Sequence, residues 1–418
     1  MARISLILLL FMITDATAQS TFVPNYDENK VVNYSLPDVG DIIGEKINNV
    51  SQWEKAKDKW LKIYASEMYG TFPSKKISVT SKLLVQKQIL NGKAEMNVWE
   101  VSLAGKVKIH LIGFIPLGTP VKAALLGLNF CGINTVFMDA EIPVSSKYVI
   151  CNENPFFNNH IATEKAVGTQ KDTWQIEKVI NAGYASFSVA CADFEEDFPD
   201  GYKKGVRTTL ANDLNIDPKD WSAISAWAWG LSKMLDVIKT LPELKNTKMI
   251  LHGHSRMGKA SLWAAANDSR FDAVIAIQSG EGGAALLRRN FGEGIEPITT
   301  RFPHWFLPGF AKYAGNETTL PFDQHILLSL IAPRPLFVSS ALDDKWADPK
   351  GEFLSAKEAG FVYQLYEKKG ISEVNMPDTE VLVGKNVNYY IRKGKHEVNA
   401  LDWDYFLKFI PKVISGDF

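Results

Sequence analysis

The chain has 418 residues, a net charge of −1, and 46% hydrophobic against 22% charged residues. These proportions are ordinary for a globular protein. The near-neutral charge argues against nucleic-acid binding and against a polybasic membrane contact. Length alone allows two or three domains, but α/β folds of this size also occur as one domain.

The N-terminus has the pattern of an export signal. Arg3 precedes an apolar run from Ile4 to Ile13, and Ala16-Thr-Ala18 fits the small-x-small cleavage rule. The run is too short to span a bilayer as a helix. We therefore predict a signal peptide over residues 1–18, a single catalytic domain over residues 19–418, and a secreted or periplasmic protein.

Three cysteines remain in the mature chain, namely Cys131, Cys151 and Cys191. An odd number in an exported chain leaves at least one thiol free, and their spacing fits no zinc site. Burial as small apolar residues is the expected role. A disulfide between Cys131 and Cys151 is compatible with the sequence, but the sequence does not establish it.

The first predicted elements are a helix and a set of antiparallel strands. Residues 51–69 have an apolar stripe at helical spacing, with Ser51 as the expected cap. Residues 77–115 alternate apolar and polar side chains, as half-buried antiparallel strands do.

A different rhythm starts near residue 122, where continuous apolar runs alternate with helical patterns. Such runs are typical of strands buried on both faces of a parallel sheet. The predicted strands are Ala123–Phe130, Ala185–Ala190, Lys248–His252, Ala273–Ile277, Pro335–Ser340 and Tyr389–Arg392. The predicted helices are Trp174–Ala182, Trp221–Thr240, Lys259–Ala266, Gly351–Ala359 and Ala400–Ile410. This pattern predicts a mostly parallel central sheet flanked by helices, with an antiparallel N-terminal portion and loop insertions.

The turn after the strand Lys248–His252 has the layout of a nucleophile elbow. Gly253-His-Ser255 ends the strand, and a helix follows at once. In α/β-hydrolases such a turn lifts a serine off the sheet beside a helix N-terminus, whose free N–H groups suit an oxyanion. The usual form is Gly-x-Ser-x-Gly, but here Met257 takes the place of the second glycine and Gly258 follows it. We predict that Ser255 is a nucleophile and that the fold is an α/β-hydrolase.

A serine nucleophile needs a base and an acid that orients the base. Among seven histidines, His396 follows the last predicted strand and precedes the closing helix, where α/β-hydrolases carry the base. His252 and His254 flank the serine and are expected to point away from it. His325 is expected to form structural hydrogen bonds.

The predicted acid is Asp344, at the carboxyl end of the strand Pro335–Ser340. Its neighbour Asp343 is expected to be solvated, and Asp348 to cap the next helix. Glu281 is the alternative acid, because it follows the strand after the elbow.

The motif His254-Ser-Arg-Met-Gly-Lys259 resembles the Ser-Arg-x-Gly-Lys elbow of glucuronoyl esterases, carbohydrate esterase family 15, and most closely its bacterial branch. The resemblance extends over nearly all of the mature chain. Further matching motifs are Gly127–Phe130, Trp221–Gly230, Ser279–Ala284, Arg288–Glu293, Phe302–Phe306, Pro321–His325, Ala332–Pro335, Asp344–Phe353 and Gly394–His396.

The resemblance implies an esterase that cleaves the bond between a glucuronate of xylan and a lignin alcohol. It implies Ser255 as nucleophile, His396 as base and Arg256 as a stabiliser of the oxyanion. Positions of the family that bind sugar hydroxyls correspond to Lys259, Glu293 and Trp346.

One position departs from the fungal members of this family, which carry the acid in Glu-Ser-Gly. Here the same place holds Gln278-Ser-Gly280, and a neutral amide cannot stabilise an imidazolium as a carboxylate does. The resemblance therefore implies Asp344, the position that bacterial members use.

The sequence thus predicts a serine esterase that acts as a monomer, through an acyl-enzyme, without metal or cofactor. Its expected partner is a glucuronate ester of plant cell-wall polysaccharide. Two alternatives stay open, namely an acetyl or feruloyl esterase on the same scaffold and a non-catalytic carbohydrate-binding relative. The sequence does not define the natural alcohol or a preference for 4-O-methylation.

Overall fold

A computed structural model describes residues 22–418. The predicted signal peptide over residues 1–18 lies outside the described residues. Within residues 22–418, no helix combines the length and apolar character that crossing a bilayer requires.

A mixed sheet of ten strands forms the centre of the molecule. Its strands are β1 (Val79–Ile89), β2 (Ala94–Leu103), β3 (Val107–Pro116), β4 (Ala123–Asn129), β5 (Ala185–Ala190), β6 (Lys248–His254), β7 (Ala273–Ile277), β8 (Leu336–Ala341), β9 (Val383–Gly384) and β10 (Val387–Arg392). Their order across the sheet is β1-β2-β3-β5-β4-β6-β7-β8-β10-β9. The six strands from β5 to β10 in this order pair in parallel, whereas β1, β2 and β3 form the antiparallel meander that the alternating sequence predicts.

Twelve helices accompany this sheet in the described part of the chain. They are α1 (Val50–Tyr64), α2 (Lys171–Trp174), α3 (Ile176–Asn181), α4 (Cys191–Phe194), α5 (Val206–Thr209), α6 (Ala211–Leu214), α7 (Ala223–Ile238), α8 (Arg256–Asn267), α9 (Ile295–Arg301), α10 (Gln324–Ser329), α11 (Pro349–Leu365) and α12 (Ala400–Ser415). The predicted helices of the parallel part are present, with boundaries that differ by a few residues.

Alternate residues of the central strands point to two separate cores. Leu126 of β4 joins a core with α7, α8, α10 and α11, whereas its neighbour Leu125 joins a core with α12. Both side chains are fully buried. The continuous apolar sequence of β4 is therefore explained by helices on both faces of the sheet.

The N-terminal helix begins earlier than its sequence predicts. Asn49, not Ser51, caps α1, because the Asn49 side chain accepts a hydrogen bond from the backbone N–H of Gln52. After Tyr64 the helix continues as a π-helical turn over Ala65–Tyr69. The predicted apolar stripe is buried, as Trp53 and Trp60 show.

The long insertion between β4 and β5 is closed by a disulfide. Cys131 and Cys151 are bonded across 20 residues of sequence, which answers the question that the sequence left open. Cys191 is free and buried at the end of β5. The insertion also contacts the segment after β5, since the Glu196 carboxylate accepts a hydrogen bond from the backbone N–H of Tyr148 at 2.9 Å.

Candidate active site

Ser255 stands on a strained turn between β6 and α8. Its φ of 57° and ψ of −130° are rare for a residue with a side chain, and its backbone N–H donates to Ile277 O at 2.8 Å. The first turn of α8 follows directly, so N–H groups that the helix itself leaves unpaired lie beside the serine. This is the geometry that the elbow motif predicts.

Close backbone approach explains the unusual spacing of the two glycines. A Cβ atom at Gly253 would lie 2.2 Å from Met257 O and 2.6 Å from the Ser261 hydroxyl. A Cβ atom at Gly258 would lie 2.9 Å from Gly253 O and from the Ser279 Cβ. The position after Arg256 tolerates methionine, because it is Gly258 that packs against the strand end.

His396 and Asp344 lie together at the carboxyl edge of the sheet. The strands β8 and β10 pair in parallel, so the loops that follow them emerge side by side. The His396 Nδ1 atom and the Asp344 Oδ2 atom are 2.6 Å apart. The Asp344 side chain is only 3% exposed, whereas that of His396 is 40% exposed. A buried carboxylate therefore orients an accessible imidazole.

The Ser255 hydroxyl has no hydrogen-bond partner within the described part of the chain. The predicted hydrogen bond between Ser255 and His396 is therefore not formed in this structure. Such contacts are often long in free enzymes and shorten when substrate binds.

The alternative acid, Glu281, forms no hydrogen bond with His396 in the described part of the chain. It is 3% exposed, and its Oε1 atom has no hydrogen-bond partner among residues 22–418. Burial, reinforced by the charge of Glu293, raises the pKa of Glu281 well above its usual value. The geometry favours Asp344 as the partner of His396. Of the two other aspartates nearby, Asp343 is exposed and Asp348 caps α11, as predicted.

The histidines beside the serine differ from each other. His252 points away from Ser255, as expected, and packs between Trp174 and Trp403. His254 was expected to point away as well, and its ring lies beside the loop that carries His396. Its ring centroid lies 4.4 Å from that of His396. His325 forms a structural hydrogen bond to Pro37 O, as predicted.

A buried acid holds Arg256 on the other side of the serine. Asp197 accepts hydrogen bonds from Arg256 Nη1 at 2.6 Å, His304 Nε2 at 2.8 Å and Trp305 Nε1 at 2.7 Å. Burial alone would raise the pKa of Asp197, but the hydrogen bond from His304 and the charge of Arg256 outweigh it and lower the pKa to about 2. The guanidinium also lies 4.3 Å above the Trp305 ring. These contacts fix a positive charge one residue from Ser255.

Sequence reasoning missed Asp197 as a functional candidate. The signal that points to it is the acidic run Asp193-Phe-Glu-Glu-Asp197, which follows β5 at the same sheet edge as Ser255. The run lies far from Arg256 in sequence, so their pairing depends on the tertiary fold.

The three predicted sugar-binding residues form a connected group. Lys259 is 3% exposed and donates a hydrogen bond to Ser279 O at 2.6 Å. Burial raises the pKa of Glu293, and the charge of Lys259 opposes that rise. Trp346 O accepts a hydrogen bond from the backbone N–H of Glu293 at 2.9 Å, and the half-buried Trp346 ring lies 5.1 Å from the Arg301 guanidinium. Charged and aromatic groups thus lie together near α8.

Another buried carboxyl connects two of the segments that surround this region. Glu352 of α11 accepts hydrogen bonds from Gly280 N at 2.9 Å and from the hydroxyls of Ser279 and Ser340, at 3.2 Å and 2.6 Å. It therefore joins the turn that holds Lys259 to the strand that precedes Asp344. Sequence reasoning placed Glu352 in a predicted helix and in the matching motif Asp344–Phe353 but assigned it no role.

Comparisons with known proteins identify esterases as relatives of this chain. A family model described as glucuronyl esterase of fungi matches residues 156–367, about half of the chain. A carbohydrate esterase of an unknown prokaryotic organism is 37% identical over 400 residues, which cover 94% of this chain and 92% of that protein. A 4-O-methyl-glucuronoyl methylesterase of Schizophyllum commune is 33% identical over 222 residues, which cover 46% of this chain and 56% of that protein.

Solved structures are similar over nearly the whole chain. A promiscuous esterase of carbohydrate esterase family 15 from the marine bacterial metagenome has a TM-score of 0.86 at 37% identity, covering 93% of this chain and 99% of that one. A glucuronoyl esterase from Solibacter usitatus has a TM-score of 0.84 at 38% identity, covering 92% and 99%.

The fold and these relatives define a carboxylic ester hydrolase with the α/β-hydrolase fold. The chain belongs to the glucuronoyl esterase family, carbohydrate esterase family 15. The predicted family, fold class and enzyme class are thus confirmed.

Proposed function

We propose that this chain hydrolyses the ester between a glucuronate of glucuronoxylan and a lignin alcohol, with Ser255 as nucleophile, His396 as base and Asp344 as the orienting acid. The observation that carries the proposal is the 2.6 Å contact between His396 Nδ1 and Asp344 Oδ2 at the sheet edge where Ser255 stands on its strained turn. The names of relatives, glucuronoyl esterase and 4-O-methyl-glucuronoyl methylesterase, support the substrate class.

The first half of the reaction forms an acyl-enzyme. His396 removes the proton of the Ser255 hydroxyl while the oxygen attacks the ester carbon. Negative charge then develops on the former carbonyl oxygen. Arg256 and backbone N–H groups of the first turn of α8 stabilise that charge, and Asp197 holds the guanidinium in place. The alcohol leaves with the proton from His396.

The second half of the reaction releases the acid. Water attacks the acyl-enzyme with His396 again as base, and glucuronate departs with a free carboxylate. Every step uses groups of this chain, so the proposed reaction requires no metal and no cofactor, and a monomer suffices.

Lys259, Glu293 and Trp346 are proposed to bind the sugar. A buried ammonium and a buried carboxylate provide a donor and an acceptor for hydroxyl groups, and an aromatic face suits a sugar ring. Lys259 and Arg256 also suit the negative charge of the product.

An exported protein, secreted or periplasmic, fits this substrate. The N-terminal pattern of residues 1–18 supports export. The disulfide between Cys131 and Cys151 supports an oxidising compartment.

The test compares two ester types on the parent protein and on Ser255→Ala. We expect a higher kcat/KM on benzyl glucuronate than on an aryl acetate, and loss of both activities in the variant. Binding of glucuronoxylan fragments without hydrolysis of any ester by the parent protein would instead establish the carbohydrate-binding alternative.

A second candidate, broader ester specificity, is favoured by one relative. The marine metagenome esterase, 37% identical to this chain, is described as promiscuous. If the parent protein prefers acetyl or feruloyl esters to glucuronate esters in the same comparison, this second candidate is correct.

A further inference from the structure

Gln278 is buried beside the loop that carries His396. It follows β7, is 1% exposed and has a φ of 45°, a backbone conformation that side chains rarely adopt. A strained residue that is also buried is maintained only when its surroundings compensate for the strain. Gln278 therefore has contacts that hold it in this position.

The Gln278 amide pairs with both backbone groups of one residue. Its Oε1 atom accepts a hydrogen bond from Glu397 N at 3.0 Å, and its Nε2 atom donates to Glu397 O at 2.9 Å. Glu397 is the residue directly after His396. This two-point pairing resembles one step of a β-ladder, and it sets both the position and the rotation of the backbone that carries the base.

The same amide oxygen lies 3.3 Å from His254 Nε2. Gln278 Oε1 only accepts hydrogen bonds, so His254 donates there and carries its proton on Nε2. Burial, followed by the proximity of His396, lowers the pKa of His254 well below its usual value. A neutral His254 ring therefore packs against His396, at 4.4 Å between centroids.

Other contacts of the loop do not replace this pairing. Arg392 donates to Lys395 O at 3.1 Å and to Glu397 O, and its guanidinium lies 3.8 Å from the Glu397 carboxylate, so it binds acceptor oxygens and no backbone N–H of the loop. Within the described residues, it is Gln278 that binds the N–H of Glu397 and connects the loop to His254.

We propose that Gln278 is a positioning residue for His396, which it places by pairing with the backbone of Glu397 and by orienting the His254 ring against the imidazole. This inference rests on the proposed function of His396 as base. The position that holds the acid in fungal relatives would here serve the base through hydrogen bonds rather than charge.

The effect should fall on kcat and not on KM. A base displaced by a fraction of an ångström transfers its proton poorly, whereas the hydrogen bonds of the Gln278 amide go to Glu397 and His254 and not to the proposed sugar-binding residues. Misplacement of about 1 Å costs up to about 100-fold in rate. We therefore expect Gln278→Met to lower kcat by about 10- to 100-fold and to change KM by less than about twofold.

Gln278→Met keeps the length and volume of the side chain and removes only its polar atoms. Gln324→Met is the matched control, because Gln324 is another buried glutamine whose Nε2 donates to a backbone carbonyl, that of Gly283, at 2.7 Å. Both variants should lose some stability, measured by thermal unfolding. Gln324→Met should retain kcat at temperatures where it is folded.

An NMR measurement distinguishes a displacement of His396 from a general loss of stability of the protein. The proton between His396 and Asp344 should give a downfield NMR signal, which is assigned by its absence in His396→Ala. We expect this signal to shift or broaden in Gln278→Met and to stay unchanged in Gln324→Met. Unchanged kcat and an unchanged signal in Gln278→Met would overturn the inference. Full activity of His396→Ala would instead overturn the proposed function itself.

Discussion

The two sides of Ser255 are built differently. On one side His396 is 40% exposed and is held by a loop, a single carboxylate and backbone hydrogen bonds. On the other side Arg256 is 15% exposed and is fixed by a carboxylate that is 2% exposed and by an aromatic ring. A base must exchange protons with substrate and water, whereas a group that stabilises an oxyanion works best as a fixed charge.

The difference also concerns what each carboxylate does. Asp344 faces an imidazole whose charge changes during the proposed reaction, so its own charge matters in the transition state. Asp197 faces a guanidinium that is always charged, so its function is positional. Neutralising each acid should therefore have unequal effects.

Asp344→Asn should cause the largest loss. An amide keeps the shape but cannot stabilise the imidazolium, and it favours the wrong tautomer of His396. The corresponding change in a serine protease triad costs about 10⁴-fold, so we expect kcat to fall by about 10³- to 10⁴-fold. Steady-state kinetics on benzyl glucuronate measure this loss.

Glu281→Gln is the control for that experiment, because Glu281 is buried nearby without a hydrogen bond to His396. It should change kcat by less than about tenfold. Similar modest losses in Asp344→Asn and Glu281→Gln would show that the two carboxylates share the role of acid.

Arg256→Met should cause the next largest loss, about 10²- to 10³-fold in kcat, the usual effect of removing one oxyanion donor. Asp197→Asn should cost less, since the guanidinium remains but loses its charged anchor. Kinetics and thermal unfolding of both variants check this order. A greater loss in Asp197→Asn than in Arg256→Met, in protein that is still folded, would mean that Asp197 has a chemical role of its own.

The same contrast explains what could be predicted from sequence. Local patterns predict strand β4, the elbow and the loops with His396 and Asp344. Continuous apolar runs indicate buried strands, and the carboxyl ends of those strands indicate the edge of the sheet that carries functional loops. The chain order of serine, acid and histidine in α/β-hydrolases then identifies Asp344 and His396 as the candidate acid and base.

The Arg256 side could not be predicted in the same way. Asp197 follows α4, whereas His304 and Trp305 are neighbours in the segment after α9, and their hydrogen bonds depend on how these two segments pack. The disulfide between Cys131 and Cys151 likewise depends on the path of a long insertion.

Lys259→Met should separate sugar binding from chemistry. A hydrogen bond from a charged group contributes about 1.5–3 kcal/mol, so we expect KM for benzyl glucuronate to rise by about 10- to 100-fold. Hydrolysis of an aryl acetate, which has no sugar, should change little. Lys233→Met, which alters a partly buried lysine of α7 paired with Asp236, is the control and should leave both activities intact. Equal losses on both esters would show that Lys259 supports the elbow and not the sugar.

The smallest expected effect is on stability and concerns Glu352, which connects the strain-bearing turn after β7 to the strand that precedes Asp344. Burial, opposed by the hydrogen bond from Ser340, raises the pKa of Glu352 from 4.5 to about 8. A carboxyl whose pKa is raised on folding stabilises the protein fully below the unfolded pKa, and this contribution is lost as pH rises through the folded pKa. Glu352→Gln is neutral at every pH, so it should remove the part of the stability change between about pH 4.5 and about pH 8 that comes from this group. Chemical unfolding at several pH values measures the difference from the parent protein.

Glu358→Gln, which changes an exposed residue of the same helix α11, is the control and should leave the pH dependence of stability unchanged. If Glu352→Gln and the parent protein lose stability in parallel as pH rises, the Glu352 carboxyl is already ionised in the folded state. A charged carboxylate then connects the turn after β7 to the strand that precedes Asp344.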